Sequence, residues 1–239
     1  MKLSPLIVAL DVENIQAVEK IIKKLGPQAD FYKVGLRLFT HYGPEILKFL
    51  KKRKKKIFLD LKLHDIPNTV AETCSEIARY GIDMLTIHTL GGLEMLQAAS
   101  HAVRKESLRL KKNKPLVMGV TVLTSMSDLS EIGISKKIPD QVLQLASLAA
   151  KAKLDGVICS PLEIELLRKK FDRKTLKIVT PGVRPVGSET HDQKRVKTPE
   201  EALTLGADSV VMGRPILQSP DPAELIQKIR KSHLRLQKA

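Results

Sequence analysis

Short apolar runs alternate with longer amphipathic stretches along the whole chain, and this alternation constrains the fold more than any other feature. The runs are typical of buried strands and cover Leu6–Asp11, Phe31–Gly35, Ile57–Lys62, Met84–His88, Leu116–Val122, Gly156–Cys159, Lys177–Thr180 and Ser209–Met212. The stretches between them have helical periodicity and cover Ile15–Leu25, Pro44–Lys52, Asn68–Tyr80, Leu93–Leu110, Pro139–Lys153, Pro161–Phe171, Pro199–Leu205 and Pro222–Arg230. Strands that alternate with helices form parallel sheets, so eight such units within 239 residues predict a (β/α)8 TIM barrel of class α/β.

A doubly wound open sheet is the alternative architecture for such an alternation. It is disfavoured because no Gly-x-Gly-x-x-Gly segment follows the first run. We see no linker and no low-complexity segment. Residues 1–239 are therefore expected to form a single barrel domain.

Composition limits the class of protein. Hydrophobic residues make up 43% of the chain and charged residues 28%, which is typical of a globular protein. Two cysteines, Cys74 and Cys159, argue against a disulfide framework and suit a reducing compartment. The first residues lack the apolar core of a signal peptide, and no apolar run is long enough to span a membrane. We expect a cytoplasmic protein with no membrane partner and buried, inert cysteines.

The formal net charge of +15 suggests an anionic partner. Much of the charge lies in the run from Lys51 to Lys56 and in the tail from Lys228 to Lys238. Aromatic residues are only 3% of the chain, tryptophan is absent, and no nucleic-acid-binding motif is present. The run also follows a predicted helix C-terminus, where cations oppose the helix dipole. We therefore expect a small anionic substrate and no nucleic acid, with polyanion binding as the less favoured hypothesis.

A charge cluster closes the third predicted strand. Because strand side chains alternate between faces, Asp60 and Lys62 point the same way, and Asp65 follows as the chain turns out. Pro67 fits the first turn of the next helix. Two carboxylates around one ammonium are costly to bury for structure alone. An ion pair at a strand end is the alternative interpretation.

Active sites of such barrels lie at the carboxyl ends of the strands, and polar residues collect there in this sequence. They include Asp11, Lys33, Asp60, Lys62, Thr121, Thr124, Ser125, Arg184 and Arg214. The loops after strands 7 and 8 often bind phosphate in this fold. Gly213 allows the backbone to approach an anion, Arg214 supplies a guanidinium, and Arg184 is a candidate second arm. A structural turn is the alternative for these residues.

Together these residues resemble the orotidine 5'-phosphate decarboxylase family over nearly the whole chain. The matching segments are Ala9–Asp11, Tyr32–Gly35, Asp60–Thr69, Gly119–Ser125, Thr180–Pro185, Asp192–Gln193 and Val211–Ile216. A sister group of phosphosugar enzymes, including a metal-dependent keto-gulonate phosphate decarboxylase, has a similar Asp-x-Lys-x-x-Asp core. Ile66–Thr69 and the segments of strands 7 and 8 favour the first family.

The resemblance implies decarboxylation of orotidine 5'-monophosphate (OMP) to UMP and CO2, the last step of UMP biosynthesis, in a homodimer without metal or organic cofactor. It implies that Lys62 is the proton donor in a charged array with Lys33, Asp60 and Asp65, the last from the other subunit. The further substrate contacts that it implies are Asp11, Ile66, Thr69, Thr124, Ser125, Arg184, Gln193, Gly213 and Arg214. We expect residues 185–195 to form a lid over the phosphate, and His64 and His88 to be structural.

Overall fold

The computed structural model of the chain describes residues 3–185 and 197–236 and contains a closed barrel of eight parallel strands in sequence order. The strands are β1 (Leu6–Ala9), β2 (Phe31–Gly35), β3 (Lys56–Leu63), β4 (Met84–His88), β5 (Leu116–Val120), β6 (Gly156–Ile158), β7 (Lys177–Thr180) and β8 (Ser209–Met212). The barrel closes where β1 pairs with β8, with Leu6 opposite Val210. The predicted fold class is confirmed, and the strands match the predicted runs to within three residues at each end.

Ten α-helices lie in the part of the chain that the structure describes. They are α1 (Ile15–Leu25), α2 (Leu36–Tyr42), α3 (Pro44–Lys52), α4 (Pro67–Arg79), α5 (Gly92–Arg109), α6 (Ile138–Lys151), α7 (Ile164–Lys170), α8 (Pro199–Thr204), α9 (Arg214–Leu217) and α10 (Pro222–Leu236). The sequence did not predict α2, which starts directly after β2 and is separated from α3 only by Gly43, at φ 51°. None of the described helices is long and apolar enough to cross a membrane.

The apolar residues form two cores on opposite sides of the sheet. The smaller core fills the barrel and consists of Ile7, Ala9, Phe31, Phe58, Met84, Leu116, Met118, Val120, Ile158, Val179 and Val211. The larger core lies between the sheet and the surrounding helices. Two residues after Phe31 and Phe58, at the next inward positions, the chain has Lys33 and Asp60. The smaller core therefore ends at the carboxyl end of the barrel, where the inward-facing side chains become charged.

At the amino end of the barrel, the same type of hydrogen bond between neighbouring strands occurs three times. The aspartate directly before each of β4, β6 and β8 accepts a hydrogen bond from a backbone N–H of the preceding strand. The three bonds run from Ile57 to Asp83 at 2.9 Å, from Val117 to Asp155 at 2.8 Å, and from Ile178 to Asp208 at 2.7 Å. Asp155 also pairs with Lys114, and Asp208 pairs with Arg168 and Arg173. These carboxylates join neighbouring strands.

The basic run from Lys51 to Lys56 lies at the same end, where α3 turns into β3. Arg53 pairs with Glu19 at 2.8 Å, Lys55 Nζ donates to the Ala29 carbonyl at 3.1 Å, and Lys56 lies 3.3 Å from an oxygen of Asp30. Lys51 Nζ donates to the Gly81 carbonyl at 2.6 Å. Four of the six cations are thus engaged locally, which favours a structural role for the run over polyanion binding.

Candidate active site

Four charged side chains form an alternating row across β1, β2 and β3 at the carboxyl end of the barrel. Lys33 Nζ lies 3.3 Å from Asp11 Oδ1 and 3.6 Å from Asp60 Oδ2. Lys62 Nζ lies 3.0 Å from Asp60 Oδ1. The order is therefore Asp11, Lys33, Asp60, Lys62, with each cation beside a carboxylate. This brings together four residues that the sequence assigned to the site.

The middle of this row is buried and its ends are open. The side chains of Lys33 and Asp60 are each 13% exposed, whereas Lys62 is 34% and Asp11 58% exposed. Burial raises the pKa of Asp60, but the Lys33 and Lys62 ammonium groups and two hydrogen bonds outweigh it, so the pKa lies below its usual range. Asp60 is consequently an anion at neutral pH. The accessible ammonium of Lys62 can contact a ligand that binds at the carboxyl end of the barrel.

The backbone at Lys62 departs from the predicted regular strand. Lys62 has φ 52°, and the register between β3 and β4 shifts between Leu59 and Leu63. The Lys62 N–H donates to a side-chain oxygen, Thr86 Oγ1, at 2.9 Å. The Thr86 hydroxyl in turn donates to Asp60 Oδ1 at 3.0 Å. The sequence did not identify Thr86 as part of the site. The sequence feature that could have identified Thr86 is its polar side chain at an inward position of β4, between Met84 and His88.

Two glycines leave room for the charged row. A Cβ on Gly35 would lie 2.9 Å from Lys33 Nζ, and a Cβ on Gly213 would lie 3.1 Å from Asp11 Oδ2. Both distances are too short for an ordinary contact with a side chain. Gly213, which the sequence assigned to phosphate binding, therefore also brings the end of β8 close to Asp11.

Asp65, Ile66 and Thr69 lie apart from the row. All three are exposed, on the turn after β3 and in the first turn of α4. Asp65 Oδ1 accepts a hydrogen bond from the backbone N–H of Ile66 at 2.6 Å, and no cation among the described residues forms an ion pair with Asp65. The side chain of Ile66 is 67% exposed. Within one chain, these residues do not complete the row.

The remaining predicted contacts lie on the loops after β5, β7 and β8. Thr124 is half-buried and Ser125 is exposed. Arg184 is buried, and its Nη1 donates to the Val183 carbonyl at 2.9 Å. Arg214 is half-buried at the start of α9. Gln193 and most of the predicted lid, residues 186–195, lie outside the residues that the structure describes.

Other threonines near this rim bind backbone carbonyls. The hydroxyl of Thr89 donates to Val120 O at 2.6 Å, that of Thr121 to Ile158 O at 2.9 Å, and that of Thr180 to Cys159 O at 2.7 Å. All three are fully buried. Thr121, which the sequence grouped with the polar strand ends, therefore fastens β5 to β6.

His64 and His88 stack beside Lys62, with ring centroids 5.5 Å apart and planes at 20°. His88 Nδ1 accepts a hydrogen bond from the backbone N–H of Leu90 at 3.3 Å. Burial, with His64 and Lys62 nearby, lowers the pKa of His88 to about 4. His88 is thus a neutral ring that caps the turn after β4, and the structural role expected for it stays a prediction.

Comparisons with known proteins give a consistent result. The family described as Orotidine 5'-phosphate decarboxylase / HUMPS matches residues 4–229. A relative named orotidine 5'-phosphate decarboxylase from Moorella thermoacetica is 47% identical over 94% of this chain and 90% of its own. A relative of the same name from Dictyoglomus turgidum is 48% identical over 96% and 95%. The crystal structure of orotidine 5'-phosphate decarboxylase from Lactobacillus acidophilus superposes with a TM-score of 0.84 at 39% identity, covering 96% of this chain and 98% of its own.

Proposed function

Because the chain belongs to the orotidine 5'-phosphate decarboxylase / HUMPS family, we propose that it converts OMP to UMP and CO2 without a cofactor, as the last step of UMP biosynthesis. The observation that carries this proposal is the charged row of Asp11, Lys33, Asp60 and Lys62 at the carboxyl end of the barrel, with its middle buried and its ends open. Relatives named for this activity match the chain over nearly its whole length.

The chemistry explains why such a row is useful. When the bond between C6 of orotate and its carboxylate breaks, the electron pair stays on C6 as a carbanion in the ring plane, without an adjacent electron sink. Most decarboxylases use a cofactor as that sink. Without one, the protein must stabilise the charge with fixed groups and then protonate C6. The ammonium of Lys62 can do both.

Each member of the row has a task in this reaction. Lys62 gives its proton to C6 and regains one from water, so the enzyme returns to its initial state. Asp60, 3.0 Å from Lys62 Nζ, orients the ammonium. Lys33 neutralises the other oxygen of Asp60 and, with Asp11, can bind the ribose hydroxyls. Thr124 and Ser125 are proposed to contact the pyrimidine.

Binding of the phosphate supplies a second part of the catalysis. Enzymatic rate accelerations correspond to about 8–23 kcal/mol, which one lysine does not provide. Contacts remote from C6 can be used in the transition state when they drive closure around the substrate. We assign the phosphate to Gly213 and Arg214, together with Arg184 and Gln193. Residues 185–195 are proposed as the segment that closes.

We also propose a cytoplasmic homodimer whose two sites are shared. Asp65, Ile66 and Thr69 are exposed, and no cation among the described residues forms an ion pair with Asp65, as expected for residues that serve a partner. Exposed apolar side chains follow β2, β3, β4 and β5 in turn around the same rim, at Leu36, Ile66, Leu90 and Leu123. Such a surface favours association of two copies through their carboxyl ends. The cytoplasmic location agrees with two free, buried cysteines.

An ultraviolet assay of OMP consumption by the purified protein, with and without EDTA, tests the function. We expect conversion to UMP at equal rates in both. If EDTA abolishes turnover, or if OMP is not consumed, a related metal-dependent phosphosugar enzyme becomes the better assignment. Salt-sensitive binding of nucleic acid without turnover would instead support the polyanion binder.

Mixing two inactive variants tests the shared site. Homodimers of Lys62→Ala and of Asp65→Ala each lack a needed group at every site. After subunit exchange, a mixed dimer has one doubly substituted site and one intact site. Random pairing makes half of the dimers mixed, so about a quarter of all sites should recover activity. No gain over the parent variants, with exchange shown independently by mass spectrometry of labelled chains, would mean that Asp65 serves its own chain.

A further inference from the structure

We propose that Thr86 is a positioning residue for the decarboxylation, and that its hydroxyl holds Asp60 and Lys62 in their reactive arrangement. The inference rests on the proposed function. Thr86 lies in the middle of β4 and is buried. Its Oγ1 accepts the backbone N–H of Lys62 at 2.9 Å and donates to Asp60 Oδ1 at 3.0 Å. That carboxylate oxygen also accepts from Lys62 Nζ at 3.0 Å, so the three residues form a closed hydrogen-bonded ring.

The irregularity of β3 creates the need for this hydroxyl. Leu59 lies opposite Leu85 and Leu63 lies opposite Ile87, so β3 has two more residues than β4 across the same interval. Such a bulge disrupts the ladder of backbone hydrogen bonds and re-aims a side chain. Thr86 is the residue of β4 that faces the bulge. Because it accepts the Lys62 N–H, the backbone can turn at φ 52° without leaving that group unpaired.

The chemistry of the hydroxyl fixes its direction. A threonine oxygen has one proton, and while it accepts from the backbone of Lys62 that proton is available to Asp60. One oxygen of Asp60 therefore faces Thr86 and Lys62, and the other faces Lys33 at 3.6 Å. This arrangement prevents the carboxylate from rotating, so the ammonium of Lys62 stays aimed at the place where C6 would lie.

The threonines at the ends of neighbouring strands act differently, and they provide a matched control. Thr89 is also buried at this rim, but its hydroxyl donates to the backbone carbonyl of Val120 and to no charged group. Replacing either threonine with valine removes a buried hydroxyl at nearly constant volume. Only the change at Thr86 disconnects the backbone of Lys62 from Asp60.

The test compares Thr86→Val, Thr86→Ser and Thr89→Val with the wild-type protein. Misplacement of a catalytic group by about 1 Å can cost about 100-fold, so we expect Thr86→Val to lower kcat by roughly that factor. The KM for OMP should change less than about threefold, since the ribose and phosphate contacts are untouched. Thr86→Ser keeps both hydrogen bonds and should stay within about tenfold of wild type. Thr89→Val should lose thermal stability while kcat is unchanged.

The pH profile separates positioning from a merely structural role. The hydrogen bond from Thr86 helps to lower the pKa of Asp60, so the acid limb of kcat should move to higher pH in Thr86→Val and stay in place in Thr89→Val. The proposal is wrong if kcat of Thr86→Val lies within threefold of wild type, if Thr89→Val loses as much, or if Thr86→Ser does not recover.

A crystal structure of Thr86→Val distinguishes failure of the inference from failure of the proposed function. We expect a rotated Asp60 carboxylate and a longer distance between Asp60 and Lys62 Nζ than the 3.0 Å seen here. If the wild-type protein does not consume OMP, the function is wrong but this geometric result still decides the role of Thr86. An unchanged Asp60–Lys62 pair would overturn the inference whatever the substrate is.

Discussion

The two ends of the barrel use the same charged residue types for different purposes. At the amino end, Asp83, Asp155 and Asp208 each accept a backbone N–H from a neighbouring strand. At the carboxyl end, Asp60 accepts from the side chains of Thr86 and Lys62 and faces that of Lys33. A carboxylate that is bound to backbone holds strands together. One that is bound to side chains, as Asp60 is, can hold the ammonium group of Lys62 at a fixed place beside a substrate.

The largest effect should come from Lys62→Ala. Loss of a general acid typically costs about 10²–10⁴-fold. The proposed mechanism also assigns stabilisation of the carbanion to Lys62, so we expect OMP decarboxylation to fall by at least about 1,000-fold. The fold should survive. Lys114→Ala removes a lysine paired with Asp155 at the opposite end and should leave kcat unchanged. Activity of Lys62→Ala within tenfold of wild type, in protein freed of host enzyme, would contradict the assignment.

Arg214→Ala tests the proposed phosphate contact at the carboxyl end of the barrel. Truncating one partner of a charge pair that is enclosed on binding costs about 2–5 kcal/mol, so kcat/KM should fall by roughly 30-fold or more. Free phosphite should partly restore turnover of a substrate that lacks the 5'-phosphate. Arg173→Ala, at the amino end beside Asp208, is the control and should retain full kcat/KM. The contact is refuted if orotidine without its phosphate reacts as fast as OMP.

Asp208→Ala probes the amino end. The substitution leaves the backbone N–H of Ile178 and the guanidinium of Arg168 without this acceptor, and we expect a loss of about 2–3 kcal/mol in the free energy of unfolding. The kcat of the folded fraction should not change. Asp83→Ala removes a similar hydrogen bond to a backbone N–H, but Asp83 forms no ion pair in the described part of the chain. The free energy of unfolding should therefore fall less in Asp83→Ala than in Asp208→Ala. Urea unfolding and kcat measured on the same samples check both, and equal losses in the two variants would argue against a contribution from Arg168.

The smallest expected effect concerns His88 and pH. The folded-state pKa of about 4 lies below the ordinary value of 6.5, so the unfolded chain binds a proton first as the pH falls. His88 therefore lowers the free energy of unfolding progressively from about pH 6.5 to 4, by at most about 1.4 kcal/mol for each pKa unit. In His88→Asn, this part of the pH dependence should disappear. Chemical unfolding of both proteins at pH 7 and pH 5 gives the difference; an identical pH dependence would refute it.

The strand and helix pattern predicted the barrel because periodicity depends on burial, which is the same for each unit. Alternation also brought Asp60 and Lys62 together, and the polar strand ends located Asp11 and Lys33. The backbone turn at Lys62 was not predictable, because it depends on the mismatch between β3 and β4, which only their pairing reveals. Thr86 was missed for the same reason: its sequence neighbours are apolar, and its partners come from another strand.

During synthesis, the barrel can close only after its last strand has been made. β1 pairs with β2 early, but its other edge must wait for β8, about 200 residues later in the chain. At about 5–20 residues per second, that edge stays unpaired for about 10–40 s on the ribosome. An apolar strand with a free edge is a template for pairing with other chains. The interior of the barrel is thus complete only after β8 has been made.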